Sequence, residues 1–321
     1  MSNLTIVMYH YVRNIKESRY PGIKGLELEQ FIEQMTFFNK NYNIVTMEDV
    51  LDTEKGLSKL PEKSMLLTFD DGYSEHFSLV YPILKKMGVQ GSFFIPAKTV
   101  IEHKILDVNK IHFILSSLKG IDDLVLSLKN EIFFYKEQYN LLSFENYFNE
   151  FAISTRFDSK EIIFVKRMLQ HVLPEKLRNT LSDKFFDKYV GVQEPIFAKE
   201  LYMNKHQIEH LVRDGMHVGC HGYDHYWWNK LNTSSLHQEI NKSKDFLQSV
   251  GCDMSNWTAC YPYGSSSDDV VEELKRQGCR LAFTTEIGIA NLNLNSKYLL
   301  PRLDTNDFPP KSDNYVNYSV Q

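Results

Sequence analysis

Residues 66–77 read LLTFDDGYSEHF, a run of strand-forming residues that stops at two adjacent aspartates and a glycine. Apolar residues bounded by a turn signal predict a buried strand. Two carboxylates side by side at the end of such a strand repel each other and lose hydration. That cost calls for a metal ion or a paired base beside them. The same residues also suit an Asp-Gly turn, and on this stretch alone both readings stand.

Outward from this strand the chain alternates short apolar runs with helical periodicity. Strands are predicted over 5–10, 44–47, 65–70, 92–96, 217–221, 259–263, 281–285 and 298–303, and helices over 27–41, 75–87, 205–214, 235–250 and 268–277. Gly88, Gly215, Gly251 and Gly278 each follow one of the last four helices, where a residue able to take positive φ closes the C-terminus. The repeated unit predicts a largely parallel α/β sheet or barrel. The alternation breaks between residues 102 and 200, where KIHFILSSL, DDLVLSLKNEIFFYKEQ, SFENYFNEFA and KEIIFVKRMLQHVL are all helical in period. The expected organisation is a barrel from 1–101 and 201–321 with a mostly helical insertion over 102–200. Aromatic stripes in the insertion suit a core, or a docking face for a membrane or partner.

Composition narrows the function. Of 321 residues 43% are hydrophobic and 24% charged, the balance of a globular protein, and a net charge of −5 argues against nucleic acid as the main ligand. No run reaches the roughly 18 apolar residues of a transmembrane segment. The opening MSNLTIVMYH lacks a basic segment leading into a long apolar one, and Cys220, Cys252, Cys260 and Cys279 show no CxxC pairing. The expectation is a cytoplasmic protein with reduced cysteines.

Two further stretches fall at predicted strand ends. VGCHGYDHYWW (218–228) sets His221 and His225 four apart, a spacing that on a helical turn aims two imidazoles at one ion, Zn²⁺ above all. Tyr223, Trp227 and Trp228 beside them suit the apolar faces of a sugar ring, or plain packing. ACYPYGSSSDD (259–269) forces a tight bend at Pro262-Tyr263-Gly264, whose backbone N–H groups can face an oxyanion. At the start of the chain MYHYV (8–12) ends a strand on His10, either a buried edge or part of a site.

Taken in order, TFDDG (68–72), HGYDH (221–225), YPYG (261–264) and LPRLD (300–304) resemble the motif series of the polysaccharide deacetylase family, carbohydrate esterase family four, with the NodB-homology fold. The resemblance spans roughly residues 4–100 and 200–305. It implies a distorted (β/α) barrel and a metal-dependent hydrolase of N-acylated amino sugars. Carried over, Asp71, His221 and His225 hold a divalent ion, most naturally Zn²⁺, with Ni²⁺, Co²⁺ or Mn²⁺ as alternatives. Asp70 is the general base, and the N–H of Tyr263 supports the oxyanion.

The chain departs from the family twice. No histidine follows His237, so a C-terminal general acid is missing. A circularly permuted branch, resembling bacterial poly-N-acetylglucosamine deacetylases, begins with an MYH-type segment, and that likeness assigns the acid to His10. Cys260 stands where the family often has an arginine that tethers the catalytic aspartate; Arg302 in the last strand is the expected substitute. The expected activity is removal of an N-acetyl or similar group from an amino sugar in a saccharide or in a lipid-linked or nucleotide-linked glycan. Its rivals are an amidase or deformylase on another amide and a catalytically silent carbohydrate-binding barrel. The expected partner is that sugar substrate, with peripheral membrane contact through the insertion as a further option.

Overall fold

The structure, a computed structural model, describes residues 3–154 and 158–318; residues 1, 2, 155–157 and 319–321, which the expected domain boundaries include, lie outside the described residues. The chain divides into two compact units, one of residues 1–14, 24–104 and 198–321, the other of residues 15–23 and 105–197. Residues 15–23 were expected in the barrel. They fall in the second unit because the Tyr20 ring packs edge-on against Phe113 and Phe197.

The first unit is a closed barrel of seven parallel strands: β1 (Asn3–Tyr9), β2 (Ser64–Phe69), β3 (Ser92–Ile95), β4 (His217–Cys220), β5 (Ala259–Cys260), β6 (Ala282–Ile287) and β7 (Leu300–Asp304). Each pairs in parallel with the next, and β1 closes the ring by pairing with both β2 and β7. Two short strands flank this ring: Asn43–Ile44 beside β2 and Ala290–Asn291, antiparallel, beside β1.

Strand alternation sorts the side chains. Leu4, Ile6, Leu66, Phe94, Cys260, Phe283 and Leu300 form one buried cluster filling the barrel. Their neighbours Val7, Tyr9, Met65, Leu67, Phe69, Phe93, Val218, Ala259 and Leu303 belong to a second cluster shared with the outer helices. By the same period Thr68, Asp70 and Arg302 continue the inward rows, so the apolar filling gives way to charge at the C-terminal rim.

Helices that pack outside the barrel include α1 (Leu28–Asn41), α2 (Tyr81–Met87), α3 (Lys205–Arg213), α4 (Thr233–Ser249) and α5 (Asp268–Arg276). α1 buries Phe31, Gln34, Met35 and Phe38. Its Gln34 accepts from the Tyr9 hydroxyl at 3.0 Å and donates to the Thr305 carbonyl at 2.8 Å, which ties β1 to the end of β7. α2 ends on Gly88 at φ 69°, the left-handed stop its sequence predicts.

Three predicted elements differ from what their sequence suggests. The strand over 44–47 stops at Ile44 because Thr46 and Asp49 form a reciprocal capping box that starts the helix Met47–Glu54. The strand over 259–263 ends at Cys260, since Pro262 has no N–H to donate and Tyr263 turns left-handed. The helix over 75–87 begins with a π-turn, His76–Val80, before it becomes regular.

In the second unit every regular element among the described residues is helical. Asp107–Ser117, Asp122–Tyr139, Lys160–Arg167 and Glu175–Tyr189 bury Phe113, Leu124, Leu128, Phe164, Leu181 and Phe185 between them. Phe113, Tyr147 and Phe164 of the aromatic stripes are core, whereas Phe133 and Phe134 are 81% and 75% exposed. Among the described residues no helix is long and apolar enough to cross a membrane, and all four cysteines are free thiols.

Candidate active site

Three turns at the C-terminal rim carry the motifs, and each holds a non-glycine residue in the left-handed region: Asp71 at φ 73°, His225 at 59° and Tyr263 at 56°. Such backbone costs about 1–3 kcal/mol per residue and survives only where its surroundings impose it. The consequence is clearest at Asp71. Strand alternation would send it away from Asp70, but the left-handed turn returns its carboxylate to the same rim, 3.4 Å from His221 Nε2. Next to Tyr263, Gly264 is obligatory: it sits at φ 66°, and a Cβ there would lie 2.1 Å from Thr285 Oγ1.

Asp70 is buried and fully tethered. Arg302 grips it with both arms, Nη1 to Oδ1 at 3.0 Å and Nη2 to Oδ2 at 2.7 Å. The remaining donors of this guanidinium reach the Thr284 carbonyl, Thr68 Oγ1 and Cys260 Sγ, so all five N–H groups are used. Burial pushes the Asp70 carboxyl up, but Arg302, joined by His221 and His10, outweighs it and holds the group at about 2. Cys260 faces inward beside the pair, its thiol 3.5 Å from Asp70 Oδ2.

Asp71, His221 and His225 form a second, differently made cluster. The Nε2 atoms of the two imidazoles are 3.2 Å apart, and Asp71 Oδ1 lies 3.4 and 3.5 Å from them. Around a tetrahedral ion with bonds of about 2.0–2.2 Å, donor atoms stand about 3.3–3.6 Å from one another, so this triangle has the right size. Its chemistry agrees. Asp71 Oδ1 is buried with no hydrogen-bond partner among the described residues, a costly state unless a cation meets it. His221 donates from Nδ1 to the Cys260 carbonyl at 2.8 Å, which turns a bare Nε2 toward the triangle. Burial lowers His225 to about 3 and keeps it neutral, as a ligand must be; burial acts the same way on His221, but Cys260, Asp71 and Asp70 push that imidazole up, so an arriving cation displaces its proton. The residues therefore fit a divalent ion. The histidines do not converge from a helical turn as their spacing suggested; 221–225 is an irregular loop. Glu239 of α4 shapes it by accepting the backbone N–H groups of Tyr223 and Asp224 at 2.9 and 2.7 Å.

His10 stands level with Asp70 because β1 and β2 pair Tyr9 with Phe69. Its Nε2 is 3.9 Å from Asp70 Oδ2, with the side chain 42% exposed, while its carbonyl accepts from His76 Nε2 at 2.8 Å. Tyr263 meets the His225 ring edge to face and stacks on Trp227, the latter pair 4.6 Å apart and nearly parallel. Trp227 is half-buried beside the cluster.

The other two aromatics expected to meet substrate do not face it. Trp228 is fully buried against Tyr261, and Tyr223 is buried with its hydroxyl donating to Glu102 at 2.5 Å. Both anchor the loop to the core. The sequence motifs do not include Tyr73, Tyr11 or Glu239. Tyr73 and Tyr11 directly follow the Asp-Asp-Gly and His10 motifs, a position that could have flagged them; nothing local marks Glu239.

A family model described as polysaccharide deacetylase matches residues 58–125 and 185–282. The Bacillus subtilis (strain 168) protein YxkH is 30% identical over 100 residues, which is 31% of this chain and 34% of that protein. The poly-beta-1,6-N-acetyl-D-glucosamine N-deacetylase of Escherichia coli K12 is 39% identical over 81 residues, 25% of this chain and 12% of that one. The matched stretches thus span a minor part of both relatives. Among solved structures, the Streptococcus pyogenes deacetylase PplD in complex with acetate shares the fold at a TM-score of 0.61 and 15% identity, over 99% of each chain.

Proposed function

The chain belongs to the polysaccharide deacetylase family, and from that premise we propose that it is a metal-dependent hydrolase removing the N-acetyl group of an amino sugar within a saccharide. The observation that carries this reading is the pairing of two buried carboxylates with different partners: Asp71 with two imidazoles in a triangle of ion-binding size, Asp70 with Arg302.

Asp71, His221 and His225 would hold the ion, and this mixed nitrogen and oxygen set suits Zn²⁺ first among the divalent metals. A bound divalent ion supplies Lewis acidity to the acyl carbonyl and makes water a nucleophile near neutral pH. Asp70, ionised and held in one orientation by Arg302, accepts the proton of the attacking water as its oxygen bonds to the acyl carbon. His10, on the open side of Asp70, delivers a proton to the nitrogen as the C–N bond breaks. The acetic acid formed gives up its remaining proton to the amine, so acetate and an ammonium group leave, and the proton on Asp70 returns to His10 through solvent. The stacked Trp227 and Tyr263 offer a flat apolar wall for a sugar ring.

The test is acetate release from N-acetylglucosamine oligomers after chelation and after Zn²⁺ or Co²⁺ is restored, beside an N-formyl sugar and a simple amide. Metal-dependent acetate release from the oligomers supports the reading. Preferred turnover of the formyl sugar or simple amide shifts it to a deformylase or amidase, and oligomer binding without turnover in any metal state leaves a binding barrel.

A further inference from the structure

The two tyrosines that follow the His10 and Asp-Asp-Gly motifs meet each other. Tyr73, fully buried, donates its hydroxyl to Asp71 Oδ2 at 2.6 Å. The other oxygen of that carboxylate, Oδ1, is the one facing both imidazoles. Tyr73 has little freedom to move. Tyr11 stacks on its ring at 4.1 Å, and Tyr202 and His76 flank it at 6.0 and 5.4 Å. The Tyr11 hydroxyl hydrogen-bonds that of Tyr73. Arg13 in turn covers the Tyr11 ring at 4.7 Å and is pinned by Glu75, Nε to Oε1 at 2.6 Å.

We infer that Tyr73 is a positioning residue that commits Asp71 to binding the ion through Oδ1 alone, with Tyr11 holding the Tyr73 hydroxyl in place. A carboxylate has two equivalent oxygens and can grip an ion with one or both. A short O–H···O⁻ bond to one of them occupies its lone pair and fixes the plane of the group. With two imidazoles and one carboxylate oxygen as ligands, the ion keeps positions for water and the acyl oxygen; a two-oxygen grip would fill one of them. The chain thus spends a buried hydroxyl on keeping the site open.

The inference rests on reading Asp71, His221 and His225 as ligands, and its test separates the two. Zn²⁺ affinity is measured by competition with a chromophoric chelator, and the visible spectrum of bound Co²⁺ reports coordination number, in the unmodified protein and in Tyr73→Phe, Tyr11→Phe and Asp71→Asn. Tyr73→Phe should weaken Zn²⁺ binding about 10–100-fold, the usual cost of losing a partner to a metal ligand, and lower the Co²⁺ absorption intensity as coordination rises. Tyr11→Phe should move both in the same direction by less, and it carries the test if Tyr73→Phe does not fold. Unchanged affinity and an unchanged Co²⁺ spectrum in both tyrosine variants overturn the inference while leaving the ligand reading intact. If the unmodified protein takes up neither ion, or Asp71→Asn binds as well as the parent, the ligand reading fails and the inference with it.

Discussion

Asp70 and Asp71 are neighbours in the chain, both buried and both at the end of β2, yet the protein treats them in opposite ways. It brings Asp70 a guanidinium with every donor satisfied and a thiol alongside. Asp71 receives a tyrosine hydroxyl on one oxygen, while the other faces two imidazoles and accepts no hydrogen bond among the described residues. A buried carboxylate without a compensating charge is too costly to keep ionised, so the first is completed from within and the second is built for a cation from outside. On the proposed function one carboxylate serves as base and the other as ligand, the division that the family resemblance implies for TFDDG.

The largest expected effect comes from removing the cation that separates the two. Arg302→Met should destabilise the fold by about 3–5 kcal/mol, measured by urea unfolding, because it strands a buried charge. Without the guanidinium, burial is opposed only by His221 and His10, and the Asp70 carboxyl rises from about 2. An unchanged unfolding midpoint would mean that Asp70 needs no partner and the comparison is false.

Much of this was legible. Period-two patterning located strands that pair as a barrel, the motifs marked the rim, and the missing arginine at Cys260 pointed to Arg302, whose guanidinium does reach Asp70. The family resemblance divided Asp70 from Asp71 by role, but the residues alone show nothing of the geometry that separates adjacent twins. Asp70 from Asp71 and Trp227 from Trp228 are told apart by left-handed turns at Asp71 and His225, and such turns leave little trace when the residue is not glycine. Glu239 was illegible for another reason: it lies 14 residues beyond His225, and only the packing of α4 brings it back to the loop.

The second twin pair sharpens the lesson. Trp228→Ala should cost about 3–5 kcal/mol of stability, as a fully buried tryptophan does. Trp227→Ala should cost only about 1 kcal/mol, the worth of a stacked pair, and show mainly as a raised KM for an oligosaccharide. Equal stability losses would contradict the burial that distinguishes them.

Glu239 is a third case, a buried carboxylate answered by backbone N–H groups and, among the described residues, by no cation. Burial, then Asp224, pushes its carboxyl up to about 7. Its ordinary unfolded value is about 4.3, so it favours the folded state most below pH 4.3, and that contribution is lost as pH rises through about 7. In the metal-free protein Glu239→Gln should therefore flatten the fall in melting temperature across that window by a few degrees. A window of the same slope in the variant would show that the group is not the source.

The most direct test of the division of labour compares bound Zn²⁺ and acetate release in Asp70→Asn and Asp71→Asn. Asp70→Asn should keep the zinc stoichiometry of the parent while acetate release falls about 10²–10⁴-fold, the worth of a general base. Asp71→Asn should lose the ion. Equal zinc retention in the two variants, or equal loss, would contradict the assignment of one carboxylate to the base and the other to the metal.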